Sequence, residues 1–303
     1  MSVLSKSRLK VFVPGCLAFL ACPGAAAACE VAIVSESSVI RVDYDPFEFV
    51  RSAGQTKFEL VNKGEQDCEL AIILLDDMRQ SIETAAISDT GVTLRFAARA
   101  RQSALVPGGV PGTWRLGLPS GTQTDLVIEA LVIEDAIAAA GLHELALTLE
   151  IRNLAGDDGV LFAAPLRTEL LTRSRAQMNI VGAAGSFGEG ENVASVDFGV
   201  ITANTVRRVY LQMRANTDAR LSIDSANRGR LKRNDALPEE TGITYGAILS
   251  DEEVSLSQHW ERIISPPQTV AGSSLPFDLV IGEISAQPAG AYSDVLTIEL
   301  SAL

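Results

Sequence analysis

The sequence predicts an all-β chain built as two tandem antiparallel sandwiches, and three observations carry that prediction. Helical periodicity is nearly absent. Short runs with period-two alternation recur along the whole of the 303 residues. One strand–turn–strand unit also occurs twice. Asp125-Leu-Val-Ile-Glu followed by Ala140-Gly-Leu-His-Glu-Leu-Ala-Leu-Thr-Leu-Glu-Ile is echoed by Asp278-Leu-Val-Ile-Gly followed by Pro288-Ala-Gly-Ala-Tyr-Ser-Asp-Val-Leu-Thr-Ile-Glu-Leu. A β unit repeated about 150 residues apart points to two similar β domains in series.

Residues 1–28 read as a secretory signal. Lys6, Arg8 and Lys10 form a basic start, Val11 to Leu20 an apolar core, and Ala25 to Ala28 a small-residue cleavage site. A retained anchor is the alternative, but the apolar run is short for a bilayer and is interrupted by Pro14 and Pro23. Acylation at Cys16, Cys22 or Cys29 is another, though none has a leucine three residues before it. Removing the signal takes away three cations and no acid, so the formal charge goes from −13 to −16 over the remaining 275 residues. That surface argues against nucleic acid or an anionic membrane as partner and suits an exported protein.

Alternating runs at Val39–Tyr44, Lys57–Val61, Glu69–Leu74, Val92–Phe96, Leu126–Glu129 and Leu145–Ile151 make the first half. Runs at Val193–Phe198, Val206–Met213, Arg220–Asp224, Glu253–Leu256, Leu279–Ile281 and Val295–Leu300 make the second. Gly, Pro, Asn and Asp punctuate them, as in antiparallel sandwiches. Ile133 to Ala140 is alanine-rich and suits a short helix or a crossing loop. Arg173-Ser-Arg-Ala-Gln breaks the alternation, which places a boundary near 172/173 and leaves a sandwich of 29–172 and one of 173–303.

Two cysteines, Cys29 and Cys68, remain after signal removal, an even pair in an oxidising compartment. A disulfide there would close a loop of about forty residues and contribute roughly 3–4 kcal/mol in the chain-entropy model. Two buried free thiols are the alternative. Nothing calls for a cofactor or a metal: there is no Cys-x-x-Cys, no Cys/His cluster, and His143 and His259 lie far apart in sequence. Nor is there a Gly-x-Ser-x-Gly, His-Glu-x-x-His or Gly-x-x-x-x-Gly-Lys-Ser/Thr motif, so the expectation is a protein that is not an enzyme. Arg228-Gly-Arg-Leu-Lys-Arg reads as a solvated basic turn, and Trp260 as a core residue.

Leu105 to Gly121 is the segment whose chemistry points to a ligand. Its repeated Pro and Gly argue against a central strand, yet Val106, Val110, Trp114, Leu116 and Leu118 are costly to leave in water. Either the loop is a hydrophobic finger for a surface or host ligand, or Trp114 and the leucines plug one end of the core.

Several of these stretches resemble archaic chaperone–usher pilus subunits of the spore-coat-protein-U type. Cys29-Glu-Val-Ala-Ile, Val42-Asp-Tyr-Asp-Pro-Phe, Phe58-Glu-Leu-Val-Asn and Cys68 are similar to that family's first half. Val196-Asp-Phe-Gly and the terminal Pro288-Ala-Gly-Ala-Tyr-Ser-Asp-Val-Leu-Thr-Ile are similar to its second. Val42-Asp43-Tyr44 departs from the usual Phe-Gly, and the second half has no cysteine. The resemblance implies a Cys29–Cys68 bridge and immunoglobulin-like sandwiches, the C-terminal one an incomplete pilin type. It implies as partners a periplasmic pilus chaperone, an outer-membrane usher and an adjacent pilin subunit that donates a strand. Tyr292, Leu296, Ile298 and Leu300 would form the strand meeting them. A mature start at Cys29 would leave no donor segment, so the expectation is a tip or minor subunit on a cell-surface fimbrium, exported through the periplasm. A free-standing two-sandwich binding protein of periplasm or exterior is the alternative.

Overall fold

Alternating branched and polar residues put one face of a strand inward and the other outward, and the computed structural model follows that rule almost everywhere. It describes residues 29–35, 37–48, 51–134, 136–154, 159–188, 192–235, 242–284 and 287–303. The signal read at 1–28 lies outside the described residues. The first eleven strands are β1 (Val31–Ser35), β2 (Val39–Tyr44), β3 (Ala53–Asn62), β4 (Cys68–Leu75), β5 (Thr84–Ala86), β6 (Thr93–Ala100), β7 (Leu105–Pro107), β8 (Thr113–Leu118), β9 (Gln123–Glu134), β10 (Gly141–Asn153) and β11 (Val160–Thr172). Ten more follow: β12 (Ala176–Val181), β13 (Val206–Ala215), β14 (Ala219–Ser225), β15 (Arg230–Arg233), β16 (Ile243–Leu249), β17 (Glu252–Val254), β18 (Trp260–Ile264), β19 (Ser273–Ile281), β20 (Tyr292–Ser293) and β21 (Leu296–Ala302). No helix occurs among the described residues.

The strands form four sheets in two pairs. The first pair is β1-β3-β9-β6-β5 facing β2-β11-β10-β4-β8-β7. The second is β12-β13-β19-β16-β15-β20, with β17 beside β16, facing β18-β14-β21. Pairings are antiparallel with one exception, β2 against β11, which is parallel. Each pair encloses its own apolar core. Phe58, Phe96, Leu74 and Leu126 are among the fully buried residues of the first, and Leu221, Ile223 and Phe277 of the second. The chain is therefore all-β and sandwich-like, as its alternation predicts.

The Cys29–Cys68 disulfide is formed, with Cα atoms 5.4 Å apart. It ties the residue two before β1 to the first residue of β4, and so one sheet of the first pair to the other. Gly54 of β3 is obligatory for packing: a Cβ there would sit 2.0 Å from the Arg41 carbonyl oxygen of β2.

The Tyr44-Asp-Pro-Phe stretch lies where the two pairs of sheets meet. Tyr44 Oη donates to the Ala136 carbonyl at 2.6 Å and accepts from the Ala136 N–H at 3.0 Å. Asp45 holds Arg175, just before β12. Phe47 lies under the Arg214 guanidinium of β13, with Phe187 also against that guanidinium. Asn216, fully buried, donates to the Ala138 and Arg173 carbonyls.

Two local expectations are corrected, and one open alternative is decided. Val193–Phe198 is not a strand; Val193 is exposed, while Val196 and Phe198 rest against the second core. Of the two readings of residues 133–140, a short helix or a loop, residues 136–140 follow the loop, and the Ala138 carbonyl accepts from buried Asn216. Residues 113–118 are not loop: β8 pairs with β4 on one side and β7 on the other. Pro107 lies on the edge strand β7, where a missing N–H costs nothing, and Gly108, Gly109, Pro111 and Gly112 fall in the turn after it; Gly117 lies within β8 opposite Glu69, and Pro119 and Gly121 follow that strand. Gly112 there has φ +73°, a conformation glycine adopts without strain.

Candidate functional site

A strand at the edge of a sheet has unpaired N–H and C=O groups along one side, and an apolar inner face beside it is hard to shield. The second pair of sheets has two such edges next to each other. β21 pairs with β14 throughout, from Ala219 opposite Ala302 to Ser225 opposite Leu296. Among the described residues no strand pairs with its other edge. β12, on the facing sheet, pairs with β13 alone.

Between these edges runs a groove of about 420 Å³, lined by Met178, Asn179 and Ile180 from β12, by Asn192, and by Leu296, Thr297, Ile298 and Leu300 from β21. Alternation aims Leu296, Ile298 and Leu300 inward, yet all three are only half-buried. Their neighbours on β14, Leu221 and Ile223, are completely buried. Burial thus falls off sharply within one strand spacing, toward the groove. Asn179 adds a polar mark. It is 5% exposed, its amide donates to the Gly188 carbonyl, and its Oδ1 has no hydrogen-bond partner among the described residues. Buried acceptors are normally satisfied, so this one is available to a donor that enters the groove.

Asp294 fixes how the chain enters β21. Its carboxylate accepts from Tyr245 Oη and Ser225 Oγ, each at 2.6 Å, and from the Asn227 N–H at 3.0 Å. Burial, then the bond to Asp294, raises the Tyr245 pKa, so the phenol stays protonated as a donor. Tyr292 stands apart from the groove. It belongs to β20, opposite Arg233 of β15, and its hydroxyl donates to the Pro288 carbonyl.

The residues read from the 105–121 segment separate into two groups. Val106 and Val110 are each 55% exposed on β7 and the turn after it. Trp114, Leu116 and Leu118 lie on the inner face of β8, opposite Ile72, Leu70 and Cys68, and are buried in the first core. Period-two alternation, hidden by the flanking Pro and Gly, is the sequence signal for that inward face. The histidines are apart as well. His143 contacts the Ala139 carbonyl at 2.8 Å. His259 lies beside Asp224, whose hydrogen bond raises the imidazole pKa. Among the described residues no three His, Cys, Asp or Glu side chains are grouped as a metal site.

No protein-family model matches the chain, and no curated protein sequence matches it. Among solved structures it is similar to the chaperone–tip adhesion subunit pre-assembly complex from archaic chaperone–usher Csu pili of Acinetobacter baumannii. That likeness has 13% identity and a TM-score of 0.42, over 89% of this chain and 100% of that one. It is similar to the CupB6 tip adhesin from Pseudomonas aeruginosa at 13% identity and a TM-score of 0.36, over 90% and 96% of the two chains. The adhesive subunit of CFA/I fimbria of enterotoxigenic Escherichia coli follows at 12% identity and 0.31, over 90% and 81%.

Proposed function

We propose that the chain is a fimbrial subunit, exported to the periplasm and assembled on the cell surface, whose second pair of sheets accepts a β-strand from the next subunit. The observation that carries this reading is the groove between β12 and β21: two strand edges that are unpaired among the described residues flank a half-buried row of Leu296, Ile298 and Leu300. An extended segment laid there gains main-chain hydrogen bonds to an edge and buries alternate side chains. Until the neighbour arrives, a periplasmic chaperone shields the groove, and an outer-membrane usher exchanges one strand for the other. The first pair of sheets is the distal, attachment-bearing part of a tip or minor subunit, with Val106 and Val110 as exposed apolar contacts. The protein acts by adhesion and assembly, with no catalytic step.

The first pair of sheets supplies a template for the entering strand. There β11 runs antiparallel to β10 and parallel to β2, sending Leu166, Thr168 and Leu170 into the core. An entering strand antiparallel to β21 and parallel to β12, with apolar residues at alternate positions, would repeat that arrangement.

The test is co-expression of the full chain in the periplasm with and without a pilus chaperone encoded beside it. A one-to-one complex is expected, displaced by a synthetic donor-segment peptide from a shaft subunit, and lost in Ile298→Glu. A well-folded monomer that ignores both chaperone and peptide would overturn the reading in favour of a free-standing binding protein.

A further inference from the structure

A second concavity lies on the other pair of sheets, on β3, β9 and β6 beside the segment that leads into β2. It measures about 430 Å³ and is lined by Ser37, Val39, Gln55, Thr56, Lys57, Arg99, Arg101 and Val127. Three of these eight are cations and none is an acid, in a chain with 38 acids against 25 Lys and Arg. The register explains the clustering. Lys57 lies opposite Val127 on one side, and Arg99 lies opposite Val127 on the other. Val127 faces outward, yet it is only 8% exposed, so it forms an apolar floor between two cationic stems.

Charge sets what can bind there. Asp125 and Glu129 stand beside the pocket, Asp125 at 3.6 Å from Lys57 and 3.9 Å from Arg101, and Glu129 at 3.8 Å from Arg99. They offset part of the pocket's positive charge. The contacts of Arg99 and Arg101 to these carboxylates are longer than a hydrogen bond, while Arg99 already donates to Gln55 Oε1 at 2.7 Å. Both guanidiniums are mostly exposed, and a guanidinium suits bidentate recognition of a planar carboxylate. A long polyanion meets a different balance. At physiological salt the Debye length is about 8 Å, so beyond the pocket such a ligand runs over the surface of a strongly acidic chain.

We propose that this pocket binds a carboxylated sugar residue, its carboxylate on Arg99, Arg101 and Lys57 and its apolar ring face on Val127. The site goes beyond strand acceptance and lies away from the groove, so either reading can fail without the other.

The test is calorimetric titration of the full chain, groove empty and groove filled by a complementing peptide, with 3′-sialyllactose, galacturonic acid, lactose and chondroitin sulfate. Expected is binding of at least one of the two carboxylated probes at least tenfold tighter than lactose, weakening as salt rises. Arg99→Gln and Lys57→Gln should each weaken it at least tenfold with unchanged melting temperature. Arg95→Gln, exposed on the same strand but outside the pocket, should leave it intact. Failure of both carboxylated probes to bind, equal binding of lactose, unaltered binding in Arg99→Gln and Lys57→Gln together, or binding of chondroitin sulfate alone would each overturn the proposal.

Discussion

The same five-residue pattern occurs at Leu147-Thr-Leu-Glu-Ile in β10 and at Leu296-Thr-Ile-Glu-Leu in β21, and the two copies live in different surroundings. In β10 the inward residues Leu147, Leu149 and Ile151 are buried to 4%, 0% and 0% exposure. In β21 Leu296, Ile298 and Leu300 are half-buried. Even the outward glutamates differ. Glu150 is completely buried between Arg79 and Arg152, and Glu299 is exposed. The cause is one strand. β10 has β4 on one side and β11 on the other, whereas β21 has β14 alone among the described residues. A strand's inward face is sealed by its neighbours in the sheet as much as by the sheet opposite, so an open edge leaves half its apolar burial unrealised.

That contrast can be broken by mutation. The largest difference is expected between Leu170→Ala in β11 and Leu300→Ala in β21. Leu170 is fully buried, so its truncation should cost about 2–5 kcal/mol. Leu300 borders a groove, and its truncation should cost under about 1.5 kcal/mol in the free chain. Chemical denaturation of the two variants measures the gap. Saturation with a complementing strand peptide should enlarge the Leu300→Ala cost, and equal costs with and without peptide would contradict the groove reading.

The paired glutamates give a smaller contrast. Arg79→Ala removes the 2.6 Å partner of a buried carboxylate and should cost about 2 kcal/mol. Glu299→Ala, at the exposed counterpart, should fall within about 0.5 kcal/mol.

The smallest effect comes from the two Asp-Leu-Val-Ile copies. Asp278 accepts both Arg208 Nε and Nη2, at 2.6 and 2.7 Å, and those hydrogen bonds hold its pKa below the ordinary carboxylate value. A depressed folded-state pKa adds stability above the unfolded value near 3.9, and that stability is lost as pH falls through the folded value. Arg208→Gln should therefore flatten the acid limb of the stability profile. Asp125, in the other copy, has only the longer contacts to Lys57 at 3.6 Å and Arg101 at 3.9 Å. Urea melts of the parent chain and Arg208→Gln between pH 2.5 and 5 measure the change.

The sandwich class was legible because period-two alternation is a local property, visible wherever branched residues alternate with polar ones. Leu296, Ile298 and Leu300 could be placed on one face for the same reason. Other residues were illegible because their state depends on distant partners. The Pro and Gly around Trp114 masked a strand whose inward face is set by pairing with Ile72 and Leu70. Val193 to Phe198 alternates convincingly, yet it has no pairing partner and stays irregular among the described residues. Met178, Asn179 and Ile180 carry no motif; they line the groove because β12 is the edge that faces β21. Lys57, Val127 and Arg99 are scattered in sequence, and only the register of three strands sets them in a row.

By itself, then, the sequence determined an acidic, all-β chain with a repeated strand unit, since composition and alternation need no knowledge of neighbours. Tertiary structure alone decided which copy of that unit is sealed and which is open. Leu-Thr-x-Glu-x forms the same strand twice, but the burial of its inward face depends on whether a non-local strand hydrogen-bonds to the remaining edge. β11 does so for β10, while the corresponding edge of β21 borders a groove.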